Sequence, residues 1–135
     1  MARRLILDTG VLITTERTGR TVHEVIAEDD DVAIAAVTVA ELGAGVALAD
    51  DSHRAQRAEF VARILALIPI EVYDLSVAEA HGRLLAQAHR AGERRGAHAL
   101  IIAATAVATR RTIVTTDRAA RFSDLQGVDS VVIGS

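Results

Sequence analysis

"RRLILDTGVLITTER", residues 3–17, sets the architecture. Its apolar core, Leu5 to Leu7, stops at Asp8 and is followed by Thr9 and Gly10. A short apolar run closed by turn-forming residues reads as a buried strand. "TGVLITTER" then reads as a helix that ends near "TGR" at 18–20. The unit is therefore a strand leading into a helix, with an acid at the junction.

The same alternation continues outward. "TVHEVIAED" (21–29) is predicted to be a short helix, with Val22, Val25 and Ile26 on one face. "DVAIAAV" (31–37) reads as a strand and "TVAELGAGVALA" (38–49) as a helix. "DDSHRAQRAEFVARILALI" (50–68) reads as a longer amphipathic helix, closed by Pro69. "IEVYDL" (70–75) alternates like a strand, and "SVAEAHGRLLAQAHRAG" (76–92) reads as a helix ended by Gly92. "AHALIIAATAVATRR" (97–111) is a further helix, with arginines at its negative end. "TIVTT" (112–116), a short helix in "DRAARFSDL" and "SVVIG" (130–134) complete the series. Strands alternating with helices imply an α/β chain with a mainly parallel sheet covered on both faces.

Composition fits this reading. The 135 residues suit one domain spanning 1–135 with a single core. Half are apolar, yet Phe60, Phe122, Tyr73 and Met1 are the only aromatic or Met residues. The core must then be aliphatic, as suits helices on a sheet. No apolar window long enough to span a membrane exists, and the N-terminal apolar run is too short for a secretory signal. With no cysteine, disulfides and thiolate metal sites are excluded, and a cytoplasmic setting is expected. All 15 basic residues are Arg. Codon bias explains that most simply, although arginine's forked donors also suit phosphate. A net charge of −3 argues against a general nucleic-acid coat but allows a local basic rim.

Ligands of such sheets bind beyond the carboxyl ends of the strands. Asp8 follows the first strand, Thr38 and Glu41 follow the second, and Thr116 and Asp117 follow the fourth. Each acid has a structural alternative. Asp8 and Asp117 suit helix N-caps, and "TVAE" at 38–41, like "SVAE" at 76–79, matches a capping box. Capping, however, does not require acids to share one crevice. Two carboxylates about 4 Å apart repel by roughly 4 kcal/mol at an effective dielectric near 20. A converging set therefore holds a proton or a cation. Oxygen donors without His or Cys select Mg²⁺ or Mn²⁺. Such an ion polarises a phosphoryl oxygen and activates water, the equipment for phosphodiester hydrolysis. Thr9, Thr38 and Thr116 add hydroxyls that can orient water or phosphate.

"LILDTGVLI", "VTVAELGAGV", "GAHALIIAATA" and "IVTTDRAARF" together resemble the four motifs of PIN-domain ribonucleases, most closely the VapC-type toxins of toxin–antitoxin pairs. The resemblance covers the whole chain, in order. It implies a three-layer α/β/α sandwich with a five-stranded sheet in the order 3-2-1-4-5. It also implies Mg²⁺- or Mn²⁺-dependent RNA cleavage. Asp8, Glu41 and Asp117 match the family's acids as catalytic and metal-holding residues. The remaining acid normally follows "GAH", where this chain has Ala99. Ala99 is thus a catalytic and metal-ligand position without its ligand. It arises either from natural divergence or from deliberate exchange in a growth-arresting nuclease, and the intact surrounding motif favours exchange. Either way, weak metal binding and little or no cleavage are expected.

The resemblance also implies a cognate antitoxin partner, seated on the apolar faces of 20–28 and 52–68, together with an RNA substrate. A homodimer or a heteromeric complex with the antitoxin is expected. Arg118 is a candidate substrate contact, with Arg121, Arg17, Arg20, Arg94 and Arg95 as further rim candidates. His98 reads as a capping or packing residue. Among rival readings, a receiver domain needs a lysine, which this chain lacks. A flap-type DNA nuclease needs a longer chain. A non-catalytic PIN-like module that grips antitoxin or RNA is favoured by Ala99.

Overall fold

The computed structural model describes residues 2–18 and 26–134. Five strands form one sheet: β1 (Arg4–Leu7), β2 (Asp31–Ala35), β3 (Ile70–Glu71), β4 (Thr112–Thr115) and β5 (Ser130–Val132). Their order is β3-β2-β1-β4-β5, and every neighbouring pair is parallel. The expected order 3-2-1-4-5 is the observed one. Five α-helices are described: α1 (Thr9–Thr18), α2 (Ala36–Leu48), α3 (Arg54–Leu67), α4 (Leu75–Ala91) and α5 (Ala97–Thr109).

Side-chain alternation along each strand divides the core in two. Leu5 and Leu7 of β1, Ile34 of β2 and Val114 of β4 point to one face. There they meet Val11 and Leu12 of α1, Leu42 of α2 and Ile64 of α3. Ile6, Ala35 and Ile113 point to the other face, against Val77, Ala80 and Leu84 of α4 and Leu100, Ile102 and Ala103 of α5. A sheet buried on both faces needs apolar residues at successive positions, which explains the unbroken "LIL" of β1. The alanines of α4 and α5 let these helices pack closely without aromatic side chains.

Several boundaries differ from expectation. The helix expected over 21–29 lies outside the described residues as far as position 25, and positions 28 and 29 form a turn. Asp30 closes that turn by accepting from the Ala27 amide at 2.7 Å. Helix α2 begins at Ala36, two residues before the expected start, so "TVAE" lies inside it and is not a capping box. Asp74 caps α4 by accepting from the Val77 amide, and "SVAE" is therefore not a cap either. β3 has two residues where a strand was expected to run on to 75, because its partner β2 ends at Ala35, opposite Glu71, and turns into α2. Asp50 accepts from the His53 amide at 3.0 Å, which holds residues 51–53 in a turn ahead of α3. Residues 117–125 form two 3-10 turns, Arg118–Ala120 and Phe122–Asp124. Arg121, between them, takes the left-handed conformation with φ 46° and prevents one continuous helix.

Candidate active site

The acids stand at the carboxyl ends of the central strands. Asp8 directly follows β1, and its amide donates to the Val114 carbonyl of β4 at 2.9 Å. The β1–β4 register pairs Leu7 with Val114. One position further on, it brings Thr115 against Asp8. The Thr115 hydroxyl donates to Asp8 Oδ2 at 2.8 Å and accepts from the Asp117 amide at 3.0 Å. This buried threonine therefore ties the first acid to the loop that carries the last. It was not anticipated, since Thr116 was the expected hydroxyl. The Thr116 Oγ1 atom instead packs beside α1, 3.3 Å from where a Cβ on Gly10 would stand. Adjacent threonines are alike in sequence; the inter-strand register that separates them is not written in either strand alone.

Glu41 is brought to the same edge by α2. Thr9 Oγ1 lies 2.7 Å from Glu41 Oε1 and 3.0 Å from Thr38 Oγ1. A hydroxyl has one proton. If Thr9 donates to the carboxylate, Thr38 completes the chain by donating to Thr9. Both threonines are buried. Glu41 is thus oriented from another helix rather than spent on its own helix's amides. His98, exposed at the start of α5, places Nδ1 3.3 Å from Glu41 Oε2. It neither caps a helix nor packs in the core as expected.

Asp117 has a structural duty as well: its Oδ1 accepts from the Ala120 amide at 3.2 Å, capping the first 3-10 turn. Burial pushes the Asp8 carboxyl above its ordinary value, and the charges of Glu41 and Asp117 push the same way. Hydrogen bonds from Thr115 and from the Thr9 backbone oppose the rise. Asp8 thus feels the charges of both other acids. Among the described residues no group of three His, Cys, Asp or Glu side chains is gathered as a metal site. Ala99 lies on the first turn of α5, packed against the core, and lines a cavity with Asp117.

The rim arginines separate into classes. Arg95 is almost fully buried and is held by Glu93 and by the Ala120 carbonyl, so it serves as a structural anchor. Arg94, Arg118 and Arg121 are exposed. Arg17 lines a small cavity that also reaches Glu41, and Arg20 lies outside the described residues.

A family model described as "PIN domain" matches residues 5–127. The chain belongs to the PIN-domain family. No curated protein sequence matches it. Among solved structures, this PIN domain is similar to VapBC-5 from Mycobacterium tuberculosis, a member of the VapBC family of toxin–antitoxin systems. The match has 27% identity and a TM-score of 0.78, covering 96% of this chain and 98% of the other. It is also similar to FitAcB from Neisseria gonorrhoeae, at 29% identity and TM-score 0.73 over 93% of this chain and 95% of the other. VapBC2 from Rickettsia felis, bound to a promoter DNA fragment, shares the fold. It has TM-score 0.87 at 20% identity, over 97% of this chain and 99% of the other. The PIN assignment and the parallel five-stranded sheet agree independently.

Proposed function

We propose that this PIN domain is the toxin of a toxin–antitoxin pair and that its fold is built for Mg²⁺- or Mn²⁺-dependent endoribonuclease chemistry. The observation that carries the proposal is the threonine network at the carboxyl ends of the strands: Thr115 donates to Asp8 and accepts from the Asp117 amide, while Thr9, next to Asp8, bonds Glu41. The carboxylate and hydroxyl oxygens of the acids and threonines suit a hard divalent cation, and His98 Nδ1 stands beside Glu41 at 3.3 Å. Such a cation, when bound, polarises a phosphoryl oxygen and acidifies water. The chain's own part is orientation. Thr115 fixes Oδ2 of Asp8, and Thr9 with Thr38 fixes Oε1 of Glu41. Thr116 and Arg118 stand beside Asp117 as candidate contacts to RNA.

Ala99 puts a methyl group where the family's remaining acid is expected. Losing that charge removes a short-range attraction for the cation, so this form is proposed to cleave RNA little or not at all. Ala99→Asp is expected to raise cleavage of a mixed RNA pool with Mg²⁺ or Mn²⁺ by about 10²-fold or more. If Ala99→Asp stays inert with both metals, the nuclease reading fails. A second reading then stands, in which the chain grips antitoxin or RNA without cutting. Ala99 and the lack of a gathered three-ligand group among the described residues favour it.

The antitoxin partner is proposed from the VapBC and FitAcB relatives. A cavity of about 380 Å³, lined by Ile26, Val32, Ile64, Leu67 and Ile68 together with the acids Glu28, Asp30 and Asp31, supports docking of an amphipathic segment on this side. A homodimer is proposed alongside that complex. No helix among the described residues is long and apolar enough to cross a membrane.

A further inference from the structure

We infer that a cavity beside Asp117 is a subsite for one nucleotide of the RNA chain, with its base on an apolar floor and its phosphate on Arg94 and Arg121. The inference rests on the nuclease reading for its RNA, but its evidence is separate. The cavity measures about 280 Å³, near the small end of the range for ligand sites. Leu100, Phe122 and Leu125 are its apolar lining, and Ala99 and Asp117 line it as well. An occupant would therefore lie beside Asp117.

The walls are built rather than incidental. Arg95, 8% exposed at its side chain, pairs with Glu93 at 2.9 Å. The same guanidinium donates to the Ala120 carbonyl at 2.6 Å and lies 3.3 Å from the Arg121 carbonyl. It thereby fastens the loop before α5 to the 3-10 turns that form the opposite wall. A preformed cavity loses less entropy when it binds.

The rim is cationic although the chain as a whole is acidic. Arg94 is exposed, and among the described residues no carboxylate pairs with it. Among the described residues Arg121, itself exposed, is held only by long pairs, 3.7 Å from a partly buried Glu93 and 3.6 Å from an exposed Asp124. Such pairs are weak and give way to a phosphate, which accepts two donors of one guanidinium. An apolar floor beneath two available guanidinium groups matches a nucleoside phosphate better than it matches a peptide carboxylate or a free sugar.

The test titrates the chain as it stands with each of the four nucleoside 5′-monophosphates, ribose 5-phosphate and inorganic phosphate, read by NMR shift changes. At least one nucleotide is expected to bind more tightly than ribose 5-phosphate, with shifts at Leu100, Phe122 and Leu125. Arg94→Ala is expected to weaken that nucleotide about tenfold. Ala119→Phe, which fills the cavity from an exposed position, is expected to abolish nucleotide binding and spare inorganic phosphate. Thermal melts check that both variants fold. No nucleotide binding, equal binding of ribose 5-phosphate, or nucleotide affinity untouched by both substitutions overturns the subsite. An inert Ala99→Asp chain that still binds nucleotides here removes the nuclease reading and leaves the subsite. An active Ala99→Asp chain whose KM for RNA is unmoved by Arg94→Ala removes the subsite and leaves the nuclease.

Discussion

Half-buried at the end of β1, Asp8 is less stable as an anion than an ordinary aspartate. Burial is the main cause, and the charges of Glu41 and Asp117 add to it. Between the ordinary value of 3.8 and the raised one, the folded chain keeps a proton that the unfolded chain has lost. Stability therefore falls as pH rises through that window, and the penalty is absent below the ordinary value. Asp8→Asn removes the charge and leaves an oxygen to accept from Thr115. In metal-free buffer it is expected to melt above the parent near neutral pH. The gap should close as the pH is lowered toward the ordinary carboxylate value, as followed by circular dichroism. A gap that stays constant with pH, or a lower melting point for the variant near neutrality, contradicts this electrostatic account. The placement of Asp8 and Asp117 at one sheet edge was legible because each follows an apolar strand of a parallel sheet, where junctions share that edge. Thr115 was not legible, because its approach to Asp8 depends on the register between β1 and β4.

At the scale of elements, the ends of helices decide most of what could be foreseen. Gly92 ends α4 in the left-handed conformation, φ 65°, and its amide reaches back to the Ala88 and His89 carbonyls. A Cβ there meets no neighbour, so the cost of a side chain is purely conformational. Gly92→Ala is expected to lose about 1 kcal/mol of stability, read as a lower urea midpoint with an unchanged slope. An unchanged midpoint would show that the cap relaxes elsewhere. Gly92 could be read as a stop because only glycine takes that conformation cheaply. The start of α2 could not be foreseen. Thr38 and Glu41 have the spacing of a capping box, but Thr9 on α1 claims both side chains from outside the helix. A tertiary partner thus overrode a local pattern. β3 was overextended for a related reason, since alternation in "IEVYDL" cannot reveal that its partner β2 ends opposite Glu71. The left-handed Arg121 lacked the usual glycine signal, so one short helix was expected where two turns occur.

Across the whole molecule, the sheet is joined by one buried cation. Arg111 precedes β4, and its side chain is 7% exposed. Its Nη1 donates to the Leu5 carbonyl of β1 at 3.2 Å, and to the carbonyl and Oδ1 of Asp31 in β2 at 2.9 and 3.1 Å. Its Nε donates to Glu71 of β3 at 3.3 Å. One guanidinium therefore links the β3 edge to the central strands, where β3 itself supplies only a two-residue ladder. Removing one member of a buried charge network leaves the others desolvated and unpaired. Asp31 and Glu71 keep some water, at 46% and 26% exposed side chains, so the cost falls below that of a fully buried pair. Arg111→Ala is expected to lose about 2–3 kcal/mol, or roughly 6–10 °C in melting temperature for a chain of this size. Arg111→Lys should recover little, because an ammonium cannot span both carboxylates and two carbonyls from one plane. Arg111 and Asp31 stand where β4 and β2 begin, whereas Asp8 and Asp117 stand where β1 and β4 end. In the Ala99→Asp background, Arg111→Ala should therefore lower the melting point while cleavage per folded molecule stays unchanged. A melting point equal to the parent's, or full recovery by lysine, would mean that the strands hold together without this network.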